Sequence, residues 1–100
     1  MPTVTFVGDS ANITAKFINT ETLEEIELDG AVTTQTVPKA IYKIVVYAKS
    51  GFSIEWVKVM DKNYIYHDFI VDESRDFATL DSYNMSLETY TARIECKTSV

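Results

Sequence analysis

One hundred residues, of which 46% are hydrophobic, 24% charged and 12% aromatic, make about one small globular domain; three glycines and two prolines exclude a collagen-like or low-complexity chain. Nine basic against fifteen acidic residues leave a formal net charge of -6, which argues against nucleic-acid binding, because phosphate neutralisation needs a concentrated basic face. No apolar run approaches the ~20 residues needed to span a bilayer, and a single cysteine, Cys96, rules out an intramolecular disulfide, so packing alone must hold the fold.

Along the chain, apolar residues recur at every second position, the signature of half-buried antiparallel strands. Residues 3–7 form the first, with Val4 and Phe6 on one face. Residues 12–18 follow, with Ile13, Ala15 and Phe17 inward and Thr14 and Lys16 outward. A polar turn over 19–22 returns the chain into 23–28, where Ile26 and Leu28 alternate with Glu25 and Glu27. Thr22-Leu23-Glu24-Glu25 also matches a capping box, but the Asp29-Gly30 break follows too soon for a helix, and a hairpin is favoured. Residues 31–37, threonine-rich and closed by Pro38, suit an edge strand.

Residues 39–49 are the strongest strand and 52–60 the next. Asp61-Lys62-Asn63 is a tight hairpin turn leading into 64–71, and 89–98 is a last long strand with Tyr90, Ala92, Ile94 and Cys96 on one face. Only 72–84 has a helical option: Ser74 is a candidate cap, and Phe77 and Leu80 fall three apart, so at most one short helix is expected near 74–82, with a structured loop as the alternative. The expected fold is all-β: one domain over residues 1–100, a small antiparallel β-sandwich, immunoglobulin-like or jelly-roll-like, of seven to eight strands.

Three mid-chain segments break the clean alternation. In 41–48, Tyr42, Ile44 and Val46 oppose Ile41, Val45 and Tyr47; in 52–60, Phe52, Ile54, Trp56 and Met60 oppose Val57 and Val59; in 64–71, Tyr64, Tyr66 and Ile70 oppose Ile65, Phe69 and Val71. Both faces of the middle sheet thus read as apolar. A large exposed apolar patch marks a contact surface, and tyrosine and tryptophan are enriched at interface hot spots. Tyr47, Trp56, Tyr64 and Tyr66 are therefore the candidate partner-binding residues. The alternative is that 72–84 or the facing sheet covers them. Charge is uneven in the same sense: net -5 over 1–38, +3 over 39–62 and -4 over 63–100. That asymmetry suits head-to-tail contacts between copies, or else lysines that guard strand edges.

Catalytic and metal motifs are missing. His67 and Cys96 are the only residues of their kinds; each shares parity with apolar neighbours and reads as core rather than as a nucleophilic pair. Two such residues cannot make a structural zinc site. Asp72, Glu73 and Asp76, or Asp61 with Asn63, lack the glycine-punctuated spacing of a calcium loop. No catalytic residue, cofactor or metal is expected. Asn12-Ile13-Thr14 and Asn84-Met85-Ser86 match the glycosylation triplet, but the N-terminal residues show no basic segment followed by an apolar one, and both are read as chance. The lone cysteine fits a reducing compartment, compatible with cytoplasmic synthesis and assembly into a virion.

The expected function is non-enzymatic: a structural or interaction module, foremost a small assembly protein such as a virion decoration or tail-attachment subunit, binding a protein partner or its own copies and neither nucleic acid nor membrane. A carbohydrate-binding or adhesin-like module, with Trp56, Tyr64 and Tyr66 as an aromatic platform for a glycan, is the alternative. A second alternative is an acidic inhibitor of a nucleic-acid-binding host protein, carried by Glu21, Glu24, Glu25, Glu27 and Asp29.

Overall fold

Period-two patterning becomes ten strands in the computed structural model, which describes residues 1–87 and 89–100. In chain order they are β1 (Thr3–Gly8), β2 (Ile13–Asn19), β3 (Glu25–Asp29), β4 (Thr34–Thr36), β5 (Ala40–Ala48), β6 (Ser53–Met60), β7 (Tyr66–Asp68), β8 (Ile70–Val71), β9 (Phe77–Met85) and β10 (Thr91–Ser99); one 3-10 turn, Ser10–Asn12, precedes β2. They pair into two five-stranded sheets, β4-β1-β10-β6-β7 and β3-β2-β5-β9-β8. The sheets enclose one sandwich-like core, to which the first contributes Val4, Phe6, Ile54, Val59 and Ile94 and the second Ile13, Phe17, Ile44, Val46 and Tyr83.

The pairing is antiparallel except at one place. β1 runs parallel to β10, from Thr3 opposite Thr91 to Gly8 opposite Cys96, so the purely antiparallel expectation is corrected there. The edge position expected for the threonine-rich segment holds: β4 is the outer strand of the first sheet. The Asp29-Gly30 turn also holds, and it tolerates no side chain at Gly30, where a Cβ would lie 2.1 Å from the Ser10 carbonyl oxygen.

Ten strands rather than seven or eight follow from two features. Residues 64–71 are not one strand. β7 belongs to the first sheet and β8 to the second, and the chain changes sheet at Phe69, whose side chain is buried. The helical option near 74–82 is corrected too: a tight turn leads into β9. The Asp72 carboxylate accepts the Ser74 N–H at 3.0 Å, the Ser74 hydroxyl accepts the Asp76 N–H at 3.2 Å, and the Asp72 N–H donates to the Phe77 carbonyl at 2.9 Å. Ser74 thus closes a hairpin instead of capping a helix.

Two bulges interrupt the alternation, and the first accounts for the two-faced reading of residues 52–60. The register of β6 against β10 slips between Lys97 and Thr98, so Glu55 is an extra residue, and Glu55 and Trp56 both point outward. The phase therefore flips, and Ile54, Val57 and Val59 all face the core. A second slip, between Tyr42 and Ile44, turns Asp81 and Ser82 of β9 outward together. Arg75 pins the first bulge from the opposite sheet: its carbonyl accepts the Ile54 N–H at 2.8 Å and its guanidinium donates to the Ile54 carbonyl at 2.9 Å.

Candidate functional site

The bulge at Glu55 decides what lies on the outer face of the first sheet. Without the bulge, strict alternation through residues 54–57 would place Trp56 on the same side as Ile54 and turn Val57 outward. With it, Trp56 stands outside. Cross-strand register then aligns Thr5, Arg93, Met60 and Tyr66 in one row, Glu95, Lys58 and Asp68 in the next, and Lys97 beside Trp56 in a third. The Lys58 ammonium sits between the two aromatics, 4.9 Å from the Trp56 ring centroid and 4.2 Å from that of Tyr66, within cation–π range of both.

Tyr64 completes this face at one end. It follows Asp61-Lys62-Asn63, where the Tyr64 N–H donates to the Asp61 carbonyl at 3.0 Å and the Asp61 N–H to the Ile65 carbonyl at 2.9 Å. That is a three-residue hairpin loop whose last position adopts a left-handed backbone, and Tyr64 has φ +63°. A groove of about 490 Å3 lies beside the turn, lined among others by Thr5, Met60, Lys62, Tyr64, Thr91 and Arg93.

The structure thus brings three of the four candidate aromatics together: Tyr64, Tyr66 and Trp56, exposed to 81%, 47% and 38%. Tyr47, at 39%, is not with them. It lies on the outer face of the second sheet, its ring 6.2 Å from that of Phe77 and 5.6 Å from the Lys16 ammonium. Lys58, Lys62 and Arg93 belong to the face but were not among the expected residues. For Lys58 the signal was present in its two-residue spacing from Trp56 and Met60; for Arg93 it lay only in the pairing of β10 with β6.

A second, smaller hollow of about 290 Å3 at the same end is lined by Asp61, His67, Tyr83, Asn84 and Tyr90, among others. Asp61 organises it. One carboxylate oxygen accepts the N–H groups of Asn63 at 2.8 Å and Ile65 at 3.1 Å, and the other lies 2.9 Å from His67 Nε2. The hydrogen bond from His67, aided by those backbone N–H groups, holds the Asp61 carboxyl below its ordinary range. Tyr90 donates a short hydrogen bond to the Tyr83 hydroxyl, and burial pushes both phenols up. His67 is therefore a part-exposed partner of Asp61 rather than the core residue expected from its parity. Cys96 is buried as expected, and burial pushes its thiol up to about 12. The two lie on strands either side of β6 and two residues apart in register, Cys96 opposite Val57 and His67 opposite Val59. Two strand spacings already separate them by roughly 10 Å, beyond the reach of a nucleophile–base pair.

Two of the five acids of the run are paired within the fold. Glu25 pairs with Lys16 at 3.2 Å and Asp29 with Lys49 at 2.7 Å, and Asp29 also accepts the Ala31 N–H. Among the described residues no cluster of three or more His, Cys, Asp or Glu is placed to hold a metal ion. No helix in the described residues is long and apolar enough to cross a membrane. Comparison with protein-family models, curated proteins and solved structures finds no match to this chain.

Proposed function

We propose that this chain is a non-enzymatic interaction module, a small assembly subunit of the kind that decorates or attaches to a larger protein shell, as virion decoration and tail-attachment subunits do. It docks through the outer face of the first sheet. One observation carries the reading: a bulge pinned from the other sheet by Arg75 turns the only tryptophan outward, onto the face that also carries Tyr64 and Tyr66. Exposed large aromatics grouped on one face suit contact with another molecule. The only histidine is tied to a carboxylate and the only cysteine is buried, which supports a role in binding rather than in covalent chemistry.

The position of Lys58 favours a protein partner over a glycan. A sugar ring stacks on an open aromatic face, and here an ammonium lies over both Trp56 and Tyr66. The acidic-inhibitor alternative has less support, because Glu25 and Asp29 are already paired within the chain. Of the two finer sandwich types, the parallel first and last strands favour the immunoglobulin-like arrangement over the jelly roll, which is an antiparallel architecture.

The test is cross-linking through lysine, followed by mass spectrometry, in extract of the source cells. Lys58 and Lys97 both lie on the proposed face and Lys49 lies off it. Recurrent links from Lys58 and Lys97 to one protein, lost in a Trp56→Ser/Tyr66→Ser variant of unchanged circular dichroism, support the reading. Links distributed evenly over all lysines, or unchanged in the variant, refute it. Binding on a glycan array that the same variant abolishes establishes the carbohydrate alternative instead.

A further inference from the structure

Tyr64 sits where its own turn disfavours it. The left-handed position of a three-residue hairpin loop suits glycine or asparagine, since a Cβ there crowds the following carbonyl, and a bulky side chain at such a φ is an outlier. Two other non-glycine residues share a positive φ. Arg75, at +59°, is explained by its hydrogen bonds to Ile54 and by the hairpin it closes; Leu23, at +66° and also exposed, lies in the β2–β3 turn and lines neither of the two hollows described. Tyr64 is the most exposed of the candidate aromatics, so its side chain gives the fold little in return for the strain. Strain held at an exposed aromatic beside a groove is a mark of a binding site.

The groove next to it has a definite chemistry. Arg93 lines it in a row with Thr5 and Met60 and has no carboxylate opposite it on either neighbouring strand. Among the described residues neither Arg93 nor Lys62 forms an ion pair. Arg93 and Lys62 thus both line the groove without an ion-pair partner among the described residues, two cations to the one carboxylate of Asp61. Asp61, which also borders the groove, is already engaged by His67. The remaining wall combines the threonine hydroxyls with apolar surface from Val7, Met60 and Tyr64. A guanidinium offers a planar fork that matches a carboxylate; the apolar wall matches the aliphatic stem and neighbours of a glutamate side chain.

We infer that this groove takes a glutamate-bearing peptide segment of the docking partner, its carboxylate held by Arg93 and Lys62 and its stem covered by Tyr64. The inference rests on the docking-face reading and names the chemistry that the face selects.

The test is an amide-resolved NMR titration of the labelled protein with acetyl-Leu-Glu-Leu-amide. Acetyl-Leu-Gln-Leu-amide, inorganic phosphate and glucuronate serve as comparison probes. Saturable shifts are expected at Thr5, Met60, Tyr64 and Arg93 with the glutamate peptide, with the glutamine peptide about tenfold weaker, the scale of one charge-assisted contact. Arg93→Gln should remove most of that difference. Tyr64→Gly should weaken binding severalfold while raising Tm by about 5 °C, as relief of left-handed strain predicts. Equal binding of the two peptides, no shifts at these residues, or indifference to Arg93→Gln overturns the inference. Phosphate or glucuronate matching the peptide overturns the peptide assignment, and a lower Tm for Tyr64→Gly overturns the strain argument. If the peptides fail while cross-links through Lys58 and Lys97 still depend on Trp56 and Tyr66, the groove assignment alone falls; if those cross-links are absent too, the docking face falls with it.

Discussion

Replacing Tyr83 or Tyr90 by phenylalanine probes what joins β9 to the start of β10. Both rings are buried, at 3% and 7% exposure, and they meet edge to face with centroids 5.8 Å apart. The Tyr90 hydroxyl donates to that of Tyr83. Either substitution keeps the ring packing and strands one buried hydroxyl, at about 1 to 2 kcal/mol each. If the two hydroxyls act mainly on each other, the double variant should cost about 1 kcal/mol less than the sum of the singles, since nothing is then left unpaired between them. In a domain of this size each kcal/mol moves Tm by about 4–8 °C. Urea unfolding followed through Trp56, the only tryptophan, gives the three free-energy differences if the slopes agree. Additivity within about 0.3 kcal/mol would show that the hydroxyls are not coupled and that the reasoning about this end of the sandwich is wrong.

Two further outcomes follow from titrating groups. Asp61 is held below the ordinary carboxylate range, chiefly by His67. A lowered carboxylate stabilises above its unfolded pKa, and that contribution disappears as pH falls through the folded value. Tm should therefore drop on acidification below about pH 4, and Asp61→Asn should show a shallower drop in the same thermal scans; since Asp29 and Asp72 are lowered too, some drop remains. Parallel curves for the two proteins would contradict the assignment. Cys96 is buried and its thiol is pushed up to about 12, so a thiol-reactive chromophore should label it only as fast as the protein opens; prompt labelling of the native protein would contradict that burial.

Strands whose residues alternate without interruption were legible from the sequence. In β2 the inward Ile13, Ala15 and Phe17, and in β10 the inward Ala92, Ile94 and Cys96, lie in the core as their parity predicts. The strong strand at 39–49 was legible on both faces: Tyr42, Ile44 and Val46 are inside, and Ile41 and Tyr47 are outside and exposed. Val45 points outward but is only 6% exposed between Lys16 and Thr79 of the neighbouring strands. Residues 64–71 were misread because two apolar faces in one segment have a second explanation, namely that the segment serves two sheets. Tyr66 faces out from the first sheet, and Val71 packs on the core from the second.

The candidate site was legible in residue type and not in placement, and the reason is the same at both bulges. Inward residues in a regular strand are separated by even numbers. A spacing of three inside such a run, with two outward residues between, marks one inserted residue. Ile54 and Val57 flank Glu55 and Trp56 in this way, and Leu80 and Tyr83 flank Asp81 and Ser82. Three is also near the helical period, and the helical option near 74–82 rested on another such interval, Phe77 to Leu80, whose ends lie on opposite faces: Phe77 meets Tyr47 outside and Leu80 packs on the core. The two explanations separate on what lies between. A helix would need its next inward residue three or four positions on, at 86 or 87, but the chain resumes period two at Met85, which is fully buried, while Ser86 and Leu87 are exposed. After Val57 the chain likewise resumes period two at Val59, also fully buried. The outward position of Trp56, on which the proposed docking face depends, was thus encoded in a single odd interval.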